Sequence, residues 1–196
     1  MNRTAQMERV TKETSVKISL NIDGSGQAEI NTGIGFFDHM LTLFAKHGLF
    51  DLSVHTQGDL AVDAHHSVED TAIVLGQVFH AALADRAKIK RYATVWTPMD
   101  EALSMVALDI SGRPYLVFDA DFPSDKAGQF DSELTEEFLR AFAVHAALTL
   151  HVRMMSGKNT HHMIESIFKG LGRALAQAAE RDKRITGVMS TKGTLG

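Results

Sequence analysis

The sequence predicts an α+β fold in which two similar halves pack as one unit, and three observations predict it. Alternation of apolar and polar residues, the period-two mark of a half-buried strand, gives way to helical spacing twice along the chain. The order of these patterns, β-β-α-β-α, is the same both times. A cluster recurs with them: His65-His66-Ser67-Val68-Glu69 returns as His161-His162-Met163-Ile164-Glu165, each ligand-type side chain displaced by 96 residues. Self-similarity at a fixed offset marks an internal duplication. Residues 1–92 form the expected first half, 93–185 the second, and 186–196 a C-terminal tail.

In the first half, Val16, Ile18, Leu20 and Ile22 alternate with polar neighbours as a strand does. Asp23-Gly24-Ser25-Gly26 supplies turn chemistry, and Ala28 and Ile30 continue on a return strand. An apolar helix follows from about Phe37 to His47, then a short strand at Leu52–Val54 and a helix opening near His65. The second half repeats the order. Met105–Ile110 reads as a strand, Ser111-Gly112-Arg113-Pro114 as a turn and Tyr115–Phe118 as the return strand. Glu136 to about Ala147 is helical, and Leu148–Val152 is a strand. The last helix places Ile164, Ile167, Phe168, Leu171 and Leu175 on one face. Asp63 and Asn159, also 96 apart, precede the two histidine pairs where helix caps are preferred. Hairpins followed by helices predict an antiparallel sheet covered by helices.

Composition narrows the function classes. The 196 residues are 44% apolar and 22% charged, enough for one substantial core. A net charge of -4 with no basic stripe argues against a nucleic-acid partner. No apolar run approaches a membrane-spanning length, so no membrane partner is expected. Met1-Asn2-Arg3-Thr4-Ala5-Gln6 lacks the apolar stretch of a secretory signal. Cysteine is absent, which excludes disulfides and thiolate metal sites and fits a cytoplasmic setting. The ten histidines are the feature that stands out.

On an α-helix, residues three and four apart share a face, whereas neighbours diverge by about 100°. Glu69 can share a face with His65 or His66, but both histidines cannot easily reach one ion. Adjacent histidines on two helices therefore suggest two metal ions, each taking one imidazole from each pair. Imidazole with carboxylate suits Zn, Fe, Ni or Mn, and the lack of sulfur argues against soft-metal chemistry. One such cluster alone reads as a solvated pair; two at matching positions of a repeat point to metal. His39 and Glu137 extend the pattern, matched at an offset of 98 together with Leu41/Leu139, Phe44/Phe142 and His47/His145. Either side chain can complete a coordination sphere, and His145 and His151 compete for that role in the second half. His55 and His80 read as structural or exposed.

Arg91, Arg113, Lys169 and Lys192 fall at element ends or turns. Arg113 follows a Ser-Gly turn, and Ser190-Thr191-Lys192-Gly193 offers amides and a hydroxyl that can cradle an anion. That stretch is not a P-loop, because the preceding glycine pattern and following helix are missing.

Taken in order, several motifs resemble those of imidazoleglycerol-phosphate dehydratases, enzymes of histidine biosynthesis, over nearly the whole chain. They are Gly35-Phe36-Phe37-Asp38-His39-Met40-Leu41, Asp63-Ala64-His65-His66-Ser67-Val68-Glu69-Asp70, Pro98-Met99-Asp100-Glu101-Ala102-Leu103, Ser111-Gly112-Arg113-Pro114-Tyr115, His161-His162-Met163-Ile164-Glu165 and Ser190-Thr191-Lys192-Gly193. The resemblance implies a duplicated fold like domain 2 of ribosomal protein S5, two Mn2+ sites per subunit and a homo-oligomer of 24 subunits. It implies metal ligands His39, His65, His66, Glu69, His161, His162 and Glu165, with an eighth at Glu137, where the family often has histidine. The implied substrate contacts are Glu13, Arg91, Arg113, Lys169, Ser190 and Lys192. Glu165, Glu13 and Asp100 are the candidates for proton transfer. Two departures are Lys88, where glycine is common, and Met189, where proline is common.

The implied reaction removes water from imidazoleglycerol phosphate to give imidazoleacetol phosphate. No carbonyl acidifies the hydrogen that must leave C2. Two ions on the ring nitrogens would stabilise an imidazolate able to expel the C3 hydroxyl. The resulting diazafulvene makes the C2 proton acidic enough for a carboxylate or metal-bound water to remove it. A dinuclear metallohydrolase would instead give hydrolytic products. A non-catalytic metal-binding protein would leave Arg113 and Ser190–Gly193 without a purpose.

Overall fold

The computed structural model describes residues 3–195; Met1, Asn2 and Gly196 lie outside the described residues. The first half contributes β1 (Thr4–Val10), β2 (Thr14–Asn21), β3 (Ala28–Asn31), α1 (Gly35–Gly48), β4 (Asp51–Gly58) and α2 (His65–Leu83). The second contributes β5 (Tyr92–Met99), β6 (Ala102–Asp109), β7 (Tyr115–Asp119), β8 (Lys126–Ala127), β9 (Phe130–Asp131), α3 (Leu134–His145), β10 (Thr149–Ser156) and α4 (Thr160–Ala179). Period-two patterning becomes strand with one buried face: Val16, Ile18 and Leu20 are buried, while Lys17 and Ser19 between them are exposed.

Each half gains a strand at its start, β1 and β5, beyond the predicted pattern. Both are edge strands with one hydrogen-bonded neighbour, in sheets of order β1-β2-β4-β3 and β5-β6-β10-β7. Residues on β1 are mostly exposed, so it shows little apolar alternation.

The return strands pair differently from the predicted hairpins. β4 separates β2 from β3, antiparallel to the former and parallel to the latter, with Val54 opposite both Ile18 and Ile30. β10 lies in the same way between β6 and β7. The sheets are therefore mixed rather than antiparallel. A local polar contact accounts for the first case: Asp51, at the start of β4, accepts from the backbone amides of Ser25 at 2.8 Å and Gln27 at 3.1 Å. The turn is thereby pinned to β4 and cannot fold back along β2. In the second half Gly112 N and Tyr115 N donate to Ala147 O and Leu148 O, pinning that turn to the approach to β10.

Helices pair across the halves, α1 on α4 and α2 on α3, between the two sheets. The core between them is aromatic: Phe37, Phe44, Phe50, Phe79, Phe130, Phe138, Phe142 and Phe168 are fully buried. Phe138 and Phe168 lie 4.9 Å apart, within the range where ring pairs add about 0.5–1.5 kcal/mol beyond burial. The outer faces differ. That of the first sheet carries exposed Lys17, Ser19, His55 and Gln57, whereas the second leaves Tyr92, Trp96 and Tyr115 more than half exposed.

Two glycines, again 96 apart, set the helix crossings. A Cβ on Gly172 of α4 would collide with Phe44 O and come within 3.1 Å of Gly48 N, both on α1. A Cβ on Gly76 of α2 would lie 2.8 Å from Phe142 O and 2.9 Å from Ala146 N, at the end of α3. At the far end of α4, Arg3 donates to Ala179 O at 2.7 Å and also pairs with Asp23. The hydrogen bond from Arg3, opposed by burial, holds the Asp23 carboxyl below its ordinary value.

Gly172→Ala and Gly76→Ala should each destabilise the protein by about 1–3 kcal/mol in chemical denaturation, although alanine is the better helix former by about 1 kcal/mol. Asp23→Asn should lower the melting temperature at neutral pH. A depressed carboxyl contributes stability above its ordinary value of 3.8 and loses it as pH falls through the folded value. The melting difference between the Asn variant and the unsubstituted chain should therefore close below that pH.

Candidate active site

The crossing of α1 over α4 places His39 beside His161 and Glu165, with one potential ligand atom from each lying within 4.8 Å of the others. His39 Nε2 is 3.5 Å and His161 Nε2 is 3.3 Å from Glu165 Oε2. His161 and Glu165 share a helix face because they are four residues apart. The two imidazoles are about half exposed, at 47% and 46%, while the carboxylate is 8% exposed. Lys169, one turn further along, reaches Glu165 Oε1 at 2.5 Å. Burial alone would push the Glu165 carboxyl up. The hydrogen bond and charge of Lys169, with the two histidines, outweigh it and hold the group below its ordinary value. Two imidazoles and an ionised carboxylate thus converge at the end of an aromatic core, where Phe36 meets the His161 ring edge-on at 5.0 Å.

Adjacent histidines diverge as helical geometry requires. Asn159 caps α4 by accepting from His161 N and His162 N, and Asp63 accepts from His65 N at the start of α2. The His162 ring leaves the trio: its Nδ1 lies 2.8 Å from Glu101 Oε2, and its Nε2 lies 3.9 Å from Asp100 Oδ2. Glu101 also accepts from the backbone amides of Lys158 and Asn159. His162 and these amides draw its carboxyl down to about 2. In the first half, His66 Nδ1 lies 3.0 Å from Asp59 Oδ2. Hydrogen bonds to Asp59 and Glu101 raise the pKa of His66 and His162 respectively, and the nearby charge of Glu13 adds to the effect on His66. Neither Asp59 nor Glu101 belongs to the sequence-predicted set, because no helical spacing links a loop carboxylate to a histidine on another element.

The remaining predicted ligands are placed less closely. His65 and Glu69 lie on α2, and Glu137 lies on α3, which packs against it. Among the described residues these three do not gather into a second trio like that of His39. His145 is close enough to feel the Glu69 charge, as its counterpart His47 feels Glu165. His151 is exposed on β10, between Leu150 and Val152, which point inward. It therefore faces away from the helices. His55 is exposed and His80 bonds to Arg86, as a structural or surface reading expects.

Arg91, Arg113, Ser190 and Lys192 line one cavity of about 800 Å³. Arg91, in the left-handed region at φ 74°, is buried and already bidentate to Asp109 at 2.6 and 2.9 Å. Its remaining Nη1 donates to Met189 O at 2.7 Å, which ties the C-terminal stretch to β5. Arg184, a cation outside the predicted set, also lines the cavity. Lys169 does not line it and is engaged with Glu165 instead.

The profile of the imidazoleglycerol-phosphate dehydratase family matches residues 32–175. The chain belongs to this family. It is 58% identical to the imidazoleglycerol-phosphate dehydratase of Acetivibrio thermocellus over 195 residues, covering 100% of both chains. Identity to the protein of that name from Clostridium botulinum (strain Hall) is 59% over 191 residues, 97% of each. Among solved structures, the dehydratase of Staphylococcus aureus superposes with a TM-score of 0.83 at 44% identity, covering 91% of this chain and 99% of that one. The dehydratase of Pyrococcus furiosus, solved in complex with (S)-C348, gives 0.83 at 36% identity, covering 96% and 100%. The family consists of metal-dependent carbon-oxygen lyases. The donor set here fits that property, because two imidazoles and a carboxylate suit a borderline or hard divalent ion.

His39→Ala should weaken divalent-metal binding by at least about tenfold, since loss of even an outer partner of a ligand costs about that much, and leave the melting temperature of metal-free protein nearly unchanged. Equilibrium dialysis with and without the substitution checks both the affinity and the stoichiometry.

Proposed function

We propose that this chain dehydrates imidazoleglycerol phosphate to imidazoleacetol phosphate in histidine biosynthesis, with Mn2+ as its metal. The observation that carries the reading is the convergence of His39, His161 and Glu165 from two helices. Family membership at 58% identity over the full length supports the same reaction. Bound divalent metal supplies Lewis-acid stabilisation of negative charge on the substrate's imidazole ring.

The protein's own groups do the rest. Arg113, Lys192 and Ser190, with Arg91 fixed behind them by Asp109, hold the phosphate and so limit where the ring can lie. Lys169 keeps Glu165 ionised, so this carboxylate can accept a proton or bind a cation. Glu165, Glu13 and Asp100 are the proposed proton carriers; Asp100 lies beside His162, and Glu13 is near enough to His66 for its charge to be felt. His65, His66, Glu69, Glu137 and His162 are the proposed further ligands, making two metal sites per subunit. A homo-oligomer of 24 subunits and a cytoplasmic location complete the proposal. No helix among the described residues is long and apolar enough to cross a membrane. The shared strand order of the two sheets supports a division into two halves, proposed as residues 1–92 and 93–185 with a tail at 186–196, although β5 of the second sheet already begins at Tyr92.

The test is turnover of imidazoleglycerol phosphate, followed as absorbance of the enolised product. Metal-stripped protein should be inactive, and Mn2+ should restore the rate. Absence of Mn2+-dependent turnover, or release of hydrolytic products, would overturn the reading. Arg113→Gln and Lys192→Gln should each lower kcat/KM by about 10–100-fold, mostly through KM, since each removes a charged hydrogen bond of about 1.5–3 kcal/mol.

A further inference from the structure

We propose that Asp59 and Glu101 are positioning residues that fix His66 and His162 in the Nδ1–H form, leaving Nε2 of each ring as a lone-pair donor to a divalent metal ion. The inference rests on the reading of the histidine pairs as metal ligands and adds two residues to it. An ionised carboxylate can only accept a hydrogen bond, so a ring nitrogen facing it must bear the proton. His66 Nδ1 faces Asp59 Oδ2 at 3.0 Å and Oδ1 at 3.2 Å. His162 Nδ1 faces Glu101 Oε2 at 2.8 Å. With Nδ1 committed as a donor, Nε2 is the nitrogen with a free lone pair, and the ring cannot turn without breaking the contact.

The two contacts arise independently. Asp59 opens the loop after β4, whereas Glu101 sits in the β5–β6 turn. Neither has an acidic counterpart 96 residues away, where the sequence has Met155 and Ala5. Descent from a duplication therefore does not explain why both second histidines acquire the same partner chemistry on the same ring atom. Glu101 is itself held rigidly, since its Oε1 accepts from Lys158 N at 3.1 Å and Asn159 N at 2.9 Å while Oε2 meets the ring. On the opposite side of the His162 ring, Asp100 is 72% exposed and 3.9 Å from Nε2, too far for a hydrogen bond.

The test uses the full chain, stripped of metal and titrated with Mn2+, with free Mn2+ read by electron paramagnetic resonance. Asp59→Ala and Glu101→Ala should each weaken Mn2+ binding by about 10–100-fold, the range for loss of an outer carboxylate. Asp59→Asn and Glu101→Gln keep an accepting oxygen and should stay within a few-fold of the unsubstituted chain. Circular dichroism melting confirms that the compared variants are folded. Solid-state NMR of metal-free protein labelled with 15N-histidine, at mildly alkaline pH, gives the second readout. Asp59→Ala should remove one neutral Nδ1–H ring signal and Glu101→Ala another. Unchanged Mn2+ affinity in both alanine variants, or Nε2–H rings at both positions in the unsubstituted chain, would overturn the proposal. Loss of dehydratase turnover with these two readouts intact would count against the proposed reaction and not against the carboxylates.

Discussion

Backbone contact between helices from opposite halves is the constraint on which this structure depends. Gly172 lets α4 lie directly on the last turns of α1, and Gly76 does the same for α2 on α3. Any side chain there would push the helices apart, and small shifts are costly in a close-packed interior. The site needs that closeness. His39 is on one helix and His161 and Glu165 on the other, so an added ångström of separation would spoil the convergence of three ligand atoms now within 4.8 Å. The same crossings bury the phenylalanine core. Core packing and ligand geometry are therefore two results of one contact.

Charge is balanced locally throughout the site. The buried Glu165 carboxylate has Lys169, Glu101 has His162 and two amides, and the buried Arg91 guanidinium has Asp109. An ion buried without a partner would cost several kcal/mol, and each of these groups instead has a counter-charge beside it, Lys169 on the same helix as Glu165 and the others across elements. Of the cations lining the open cavity, Arg91 and Arg184 are paired with Asp109 and Asp182, which leaves Arg113 and Lys192 less compensated.

Much of this was legible in the sequence, and the remainder was hidden for identifiable reasons. Strands with a buried face and helices with an apolar face announce themselves by period, and so does the repeated histidine cluster. Strand partners do not, because alternation is identical whether β3 pairs with β2 or with β4; the choice is made by Asp51 gripping the turn. The edge strands β1 and β5 lack a second neighbour, and on β1 the alternation fades. His39 could be nominated as a ligand, but its partnership with the other half's cluster depends on helix packing over more than 120 residues of chain. Asp59, Glu101 and Arg184 sit in loops, where no periodicity singles them out. Lys88 is a different case. It occupies the left-handed region at φ 63°, which explains why glycine suits that position while lysine remains tolerated.

The outer face of the second sheet also determines what can be seen of this protein in solution. Trp96 is the sole tryptophan in the sequence, and it lies on β5 with 52% of its surface exposed. The core is built from phenylalanine, which emits too weakly to compete with it. Intrinsic fluorescence therefore watches that sheet surface and whatever comes to lie against it, while the packing of the helices beneath stays dark to the same light.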